Sequence, residues 1–468
     1  MIEYRGLPRN MTSCAQSLRR WIRLLLNFVN ILLRYLILLR MPPLKWLGLI
    51  FRRLEAPQFT SLVRAIVSLN WLGYPPALLQ VYIQFLGALA TAQTTFLPLM
   101  LKQLLAELAD VTPSPNTRRT DLQLNAHWAI QHLLDVVPSG SSILHRLIRE
   151  SFPHPTADRR EQISYVFNLI RVGHYAENLK GEILSLCVQR AVQIDVQIQF
   201  ELDRLDDDLE EELLWDHFEG KAYSSEDDIN TEPPNLDDVT ETSSGILDTS
   251  SSLTTLRDTI TTLDALMTTL FNYLDPLFPT DSAPSLEAEQ LFDSLLSTFL
   301  LHILPTYHSR HVQFLIFKTS QSHPVFLDRF LGLLIERSLD PTISNIGRRA
   351  SSAYLASFVA RAKSLTSDTI KTVVEMLCVF LSRVLEDMPI TSSGKFIPGG
   401  VAGNRGLDGV YAVFQAVIYI YCFRWRELQS IDEESGEHIW LPQLNVIQRM
   451  AWSPLNPLAV LYLFFCGN

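Results

Sequence analysis

The sequence predicts an all-α fold, an α-solenoid of HEAT-like antiparallel helix pairs with a disordered acidic insertion. Three observations predict it. Apolar residues recur at steps of three and four in runs of helix length, and proline or polar breaks separate the runs. Sustained period-two alternation of β-branched residues between hairpin turns is missing, so a sheet has little support. Between about residues 206 and 252 the composition shifts to Asp, Glu, Ser, Thr and Pro, and such a segment cannot bury enough apolar area to offset its ordering entropy. No repeat of fixed period is visible, yet stacking needs only one apolar face per helix, so degenerate repeats suffice.

Taken in order, residues 1–60 form an atypical basic amphipathic segment. Residues 24–39 are apolar enough to suggest a membrane span. Arg20, Arg23, Asn27, Asn30 and Arg34, however, recur at alternating steps of three and four and share one helical stripe. An arginine near the middle of a span costs several kcal/mol, so a helix packed on its neighbour is favoured over membrane contact. Residues 61–205 follow as N-terminal helical repeats: runs at 82–89, 96–108 and 128–137, then Ile163, Val166, Phe167 and Ile170, then a longer helix over 179–202. Asp206, Asp207 and Asp208 with Glu210, Glu211 and Glu212 open the acidic insertion, 206–252.

Helical character returns at Leu253 and carries the C-terminal repeats, 253–468. Ile370, Val373, Val374, Leu377, Phe380, Leu381, Val384 and Leu385 trace one apolar face, with Thr366 or Ser367 as the cap and Asp368 in the first turn. A glycine-rich loop, 392–409, separates this helix from a very apolar one over 410–424.

The 468 residues carry a formal charge of -11 at a sequence pI near 5.5. A phosphate backbone repels such a chain, so little direct nucleic-acid binding is expected and a basic protein surface suits it better. The five cysteines, Cys14, Cys187, Cys378, Cys422 and Cys466, are scattered and never in C-x-x-C spacing, which points to a reducing compartment.

Signals for bond-making chemistry are weak. His302, His308, His311 and His323 lie close in sequence, but only His308 and His311 can share a helix face, and no cysteine lies near them. Gly394-Lys395 resembles the end of a phosphate-binding loop, but Pro389 stands where the motif needs glycine and Phe396 where it needs Ser or Thr. G-x-S-x-G, H-E-x-x-H and G-x-G-x-x-G are missing. The run 206–212 lacks the alternating ligands and central glycine of a calcium loop. The reading is a non-enzyme with no cofactor and no metal. Ser224 and Ser225 precede Glu226, Asp227 and Asp228, a composition that acidic-directed kinases accept, and each phosphate would add about -1.5 to -2 charge.

Several blocks carry a resemblance. F-P-H at 152–154, Y-V-F-N-L-I-R-V-G-H-Y at 165–175 and the run 179–203, with Asp195 set among apolar neighbours in Q-I-D-V-Q-I-Q, are similar to the central segment of the RNA polymerase I-specific initiation factors, TIF-IA in animals. Residues 299–305, 311–317, 323–330, 349–363 (with S-S-A-Y-L-A-S-F-V-A-R-A-K) and 411–425 (Y-A-V-F-Q-A-V-I-Y-I-Y-C-F-R-W) resemble later blocks of that family in the same order. Two departures stand out. The family continues past an N-P-L-K element where Asn456-Pro457-Leu458 is followed here by Ala459, which suggests missing C-terminal helices, and residues 1–60 do not look like the family, which suggests an altered gene start.

The resemblance implies a HEAT-like adaptor in the nucleus and nucleolus that binds RNA polymerase I near its stalk and dock. It implies bridging to the promoter-bound core factor at ribosomal DNA, regulation by phosphorylation, and it allows a homodimer when free. It also implies a polymerase-facing serine patch, for which Ser139, Ser141, Ser142, Ser151 and Ser185 are the candidates; each also suits a helix cap or turn. The alternative function is a generic helical-repeat scaffold or transport adaptor meeting basic cargo, and a membrane-associated hydrolase lacks any nucleophile motif.

Overall fold

The computed structural model describes residues 60–69, 71–109, 118–204, 244–280, 282–306, 309–387, 407–431 and 438–458. The amphipathic stretch at 24–39, Ser224, Ser225 and most of the glycine-rich loop lie outside these residues. The described residues form an all-α structure of fifteen α-helices. The chain divides into two compact units between Leu186 and Cys187.

The first unit holds α1 (Thr60–Val67), α2 (Pro76–Ala92), α3 (Leu97–Ala109), α4 (Arg119–Val136), α5 (Gly140–Glu150), α6 (Arg159–Tyr175) and the first turns of α7 (Lys180–Leu202). Breaks of three to nine residues separate neighbouring helices. At its centre α3 packs on α4, α5 and α6, because Met100, Leu101, Leu104, Leu105 and Leu108 repeat at helical spacing and all bury. The last carbonyls of a helix lack partners within it. Here Leu108 O accepts from Ser164 Oγ at 3.2 Å and from Asn168 Nδ2 at 3.0 Å. Asn168 Oδ1 in turn meets His127 Nε2 at 3.1 Å, and His127 Nδ1 meets the Tyr175 hydroxyl at 3.0 Å. Asn168 and Tyr175 of the Y-V-F-N-L-I-R-V-G-H-Y block thus hold a network that ties α6 to α4 and closes the end of α3.

The second unit begins within α7 and continues through α8 (Ser244–Leu274), α9 (Leu286–Thr298), α10 (Phe314–Ser320), α11 (Pro324–Leu339), α12 (Asn345–Arg361), α13 (Ser367–Glu386), α14 (Leu407–Arg424) and α15 (Asn445–Ala451). A π-helical turn, Phe299–Ile303, extends α9. Its core is aromatic: Phe330 meets Phe299 at 5.4 Å and Phe358 at 5.1 Å, and Phe358 meets Phe317 at 5.1 Å between ring centres. The two pairs made by Phe330 are edge-to-face, a geometry that adds about 0.5–1.5 kcal/mol per pair to the burial term. Arg348 is buried beneath Gly409, donates Nε–H to Ser338 O at 3.1 Å and lies over the Phe380 ring. A glycine at 409 leaves the room this guanidinium occupies.

The periodic face of α13 is placed as its spacing predicts. Ile370, Val373, Val374, Leu377 and Leu381 are buried, Phe380, Val384 and Leu385 of the same face are half-buried, and the Thr366 side chain accepts from Thr369 N at 3.2 Å as the N-cap. Two features differ from the sequence reading. Helix α8 starts at Ser244 rather than Leu253, since each residue added to an existing helix gains a hydrogen bond whatever its polarity. A small hairpin also forms, β1 (Gln429–Ile431) against β2 (His438–Trp440), antiparallel with Ser430 opposite Ile439. Strands of three residues are too short for alternation to register in the sequence.

Candidate functional site

The chain turns between α4 and α5 through Val137, Pro138 and Ser139, and Val137 N closes α4 on Leu133 O at 2.9 Å. Ser139 is the exposed N-cap residue of α5 and makes no capping bond with its side chain. Ser141 Oγ donates to Pro138 O at 3.0 Å, and Ser142 Oγ donates to Ser139 O at 3.0 Å. Each hydroxyl bonds a carbonyl three residues back, the local turn chemistry that serine offers. Ser151 closes the other end of α5, its N–H donating to Leu147 O at 2.8 Å. Ten residues of rise put it about 15 Å from Ser141. Ser185 is half-buried on α7, one turn past Glu182, which pairs with His145 of α5 at 3.3 Å.

The structure therefore gathers Ser139, Ser141 and Ser142 at one helix N-terminus, leaves Ser151 at the opposite end, and sets Ser185 on the adjoining helix. A phosphate at the first turn of α5 would meet the positive end of the helix dipole, so the fold would accept it.

Asp195 occupies a second constellation, wholly within the second unit. Helix α7 buries its carboxylate, and the segment 309–312 surrounds it with donors. Oδ2 accepts from Ser309 Oγ at 2.8 Å and from the main-chain N–H groups of Arg310 and His311 at 2.9 Å, with Val312 N at 3.3 Å. Oδ1 meets His311 Nδ1 at 2.8 Å. Burial pushes the Asp195 carboxyl up, but the bonds from the His311 ring, the His311 main chain and Ser309 outweigh it and hold the group below its ordinary value. The hydrogen bond to Asp195 raises His311 against a smaller opposing effect of burial. Ser309 donates to the carboxylate rather than to the imidazole, so Ser309 and His311 do not form a serine–histidine pair, and the carboxylate staples the segment 309–312 to α7.

The remaining histidines fall elsewhere. His323 caps α11, Nδ1 accepting from Val325 N at 3.3 Å, and His308 lies outside the described residues. Among the described residues no group of three or more metal-capable side chains converges, and no helix is long and apolar enough to cross a membrane.

One surface escaped the sequence reading. Trp440 of β2 lies 5.5 Å from Tyr421 and 6.5 Å from Trp425 between ring centres, and Trp425, Ile439 and Trp440 stay exposed. Exposed aromatic clusters of this kind are common anchors for protein partners. The aromatic density of Y-I-Y-C-F-R-W was the available signal, but the hairpin that completes the cluster left none.

Comparison with known proteins gives a consistent result. The model of a family described as RNA polymerase I specific transcription initiation factor RRN3 matches residues 42–462, so residues 42–60, outside the resemblance read from sequence, fall inside the match. The chain is 33% identical over 423 residues to the RNA polymerase I-specific transcription initiation factor rrn3 of Schizosaccharomyces pombe, covering 85% of this chain and 65% of that protein. It is 28% identical over 449 residues to RRN3 of Saccharomyces cerevisiae, covering 87% and 66%. Against RRN3 of Mus musculus it is 28% identical over 425 residues, covering 86% and 61%. The chain thus spans a little under two thirds of the length of each relative. The crystal structure of RNA polymerase I transcription initiation factor Rrn3 superposes with a TM-score of 0.66 at 25% identity, covering 89% of this chain and 73% of that one.

Proposed function

Because the chain belongs to the RRN3 family of RNA polymerase I-specific transcription initiation factors, we propose that it binds RNA polymerase I near the stalk and dock and joins it to the promoter-bound core factor at ribosomal DNA, in the nucleolus. The observation that carries this reading is the family match, which runs through both compact units. The relatives are named as initiation factors and not as enzymes. Binding and release then do the work, with no bond made or broken.

Phosphorylation is the proposed control. Ser139 and Ser142 are exposed at the N-terminus of α5, where about -1.5 to -2 charge per phosphate would leave the helix intact. The same charge inside an interface lacks a partner, and a cost of a few kcal/mol lowers affinity tenfold or more. The test is co-purification with polymerase I subunits. The wild-type chain is expected to carry them, and the chain with Ser139→Asp, Ser141→Asp and Ser142→Asp to lose them. Unchanged polymerase binding by the triple variant would remove the patch and leave the family membership standing. A wild-type chain that never captures polymerase would overturn the function itself.

A further inference from the structure

In the second unit residues 304–306 with Ser309, Arg310 and Gln313, together with α12 and α14, line an open cleft of about 900 Å³. Along α12, Ile346, Ala350, Ala353, Ser357 and Arg361 recur at steps of three and four, so one stripe of the helix faces the cleft over nearly its whole length. Ala412, Ala416 and Tyr419 form the matching stripe on α14. Arg310, Arg349 and Arg361 stand around this alanine-rich trough, all three exposed. Arg361 is oriented by the Tyr419 hydroxyl at 2.9 Å, and Arg310 and Arg349 form no ion pair among the described residues. The described lining holds no carboxylate. Asp195 lies behind the wall at Ser309, with both oxygens already taken by Ser309, the main chain and His311.

We propose that the cleft is a docking site for an extended acidic peptide of a partner protein, with carboxylates at both ends and a bulky apolar residue between them. Charge complementarity is the first argument, since three arginines without an acidic neighbour in the lining call for carboxylates. Length is the second. Arg349 and Arg361 are twelve residues apart on α12, a rise of about 18 Å, which an extended chain covers in about five residues. Shape is the third. Ala350, Ala353, Ala412 and Ala416 leave the room between the cations that a large apolar side chain would fill. The fourth argument separates a peptide from other polyanions. Two lining residues hold a buried polar atom with no hydrogen-bond partner among the described residues, the donor and acceptor Ser352 Oγ and the acceptor Gln313 Oε1. A peptide main chain brings an N–H and a carbonyl side by side, whereas a phosphodiester backbone brings no N–H donor. A long nucleic acid would also meet the whole chain's charge of -11, while a short peptide in the cleft is shielded from all but the charges within a Debye length of about 8–10 Å.

The experiment uses the full chain and a panel of fluorescein-labelled peptides read by anisotropy. Each peptide carries a Glu-Glu pair at both ends of a Gly/Ser spacer of roughly two to eight residues, with one leucine at its centre. The tightest binding is expected where the pairs lie about five residues apart. Replacing the four Glu by Gln in that peptide, or Arg310→Gln with Arg349→Gln in the protein, is expected to weaken binding about tenfold, and added salt to weaken it further. Ala353→Trp fills the trough without changing charge and is expected to weaken the same peptide at least as much. Arg310, Arg349 and Ala353 are exposed, so these changes spare the fold, and a thermal melt confirms that. A panel in which no peptide binds, or all bind alike, overturns the proposal. So does binding that survives either the arginine pair or Ala353→Trp, or a short DNA duplex that binds more tightly than the best peptide.

Discussion

Replacing Asp195 by alanine removes the acceptor shared by Ser309 Oγ, the main-chain N–H groups of Arg310 and His311 at 2.9 Å or less, and the His311 ring. Deleting one partner of a buried charged network costs about 3–5 kcal/mol. Arg310 and His311 are exposed and can recover water, which puts the expected loss near 3 kcal/mol. Asp195→Asn keeps one oxygen for the main-chain donors and gives up the charge, for about 1–2 kcal/mol. The pH dependence has a definite sign. Asp195 is held below its ordinary value, so its contribution is present above about pH 4 and fades on acidification. His311 is raised, so its contribution is full below about pH 6.5 and fades as pH rises through the folded value. The gap between wild type and Asp195→Asn should therefore be widest between about pH 4 and 6.5 and narrower at 8.5. Amide exchange reads it locally: at pH 6 the N–H groups of Arg310 and His311 should exchange about 100-fold faster in Asp195→Ala. Unchanged protection there, or a stability gap flat from pH 5 to 8.5, would refute the staple.

Other consequences can be measured on the same protein. Gly409→Ala puts a methyl group against the Arg348 guanidinium, and a loss of about 1–3 kcal/mol in chemical denaturation is expected; full stability would mean that Arg348 has another resting place. Phe330→Ala empties the ring cluster around Phe299 and Phe358 and should cost about 3–5 kcal/mol, seen as a lowered melting temperature. Cys422 is exposed, whereas burial pushes the thiols of Cys187 and Cys378 up to about 12. Maleimide labelling of the native chain at pH 7.5, mapped by mass spectrometry, should mark Cys422 well before those two.

Legibility in the sequence followed the range of each interaction. The face of α13 was readable because a helix repeats its contacts every three or four residues, and the end of α7 at Leu202 was readable because the acidic run begins just beyond it. Asp195 stood out for its apolar neighbours, but its partners at 309–312 come 114 to 117 residues later, and no local pattern announces a pairing at that separation. Ser141 and Ser142 were visible as candidates, while their bonds to Pro138 O and Ser139 O came only with the turn geometry.

The long sequence separation of the Asp195 staple sets when it can form. At a synthesis rate of about 5–20 residues per second, Ser309 reaches the growing chain on the order of ten seconds after Asp195. Until then the carboxylate waits without its donors. A ring this large closes late, after the entropy of many intervening residues has been overcome. Removing the carboxylate should consequently hasten unfolding while leaving the refolding rate nearly untouched, so the staple acts on how long the native state lasts rather than on how soon it is reached.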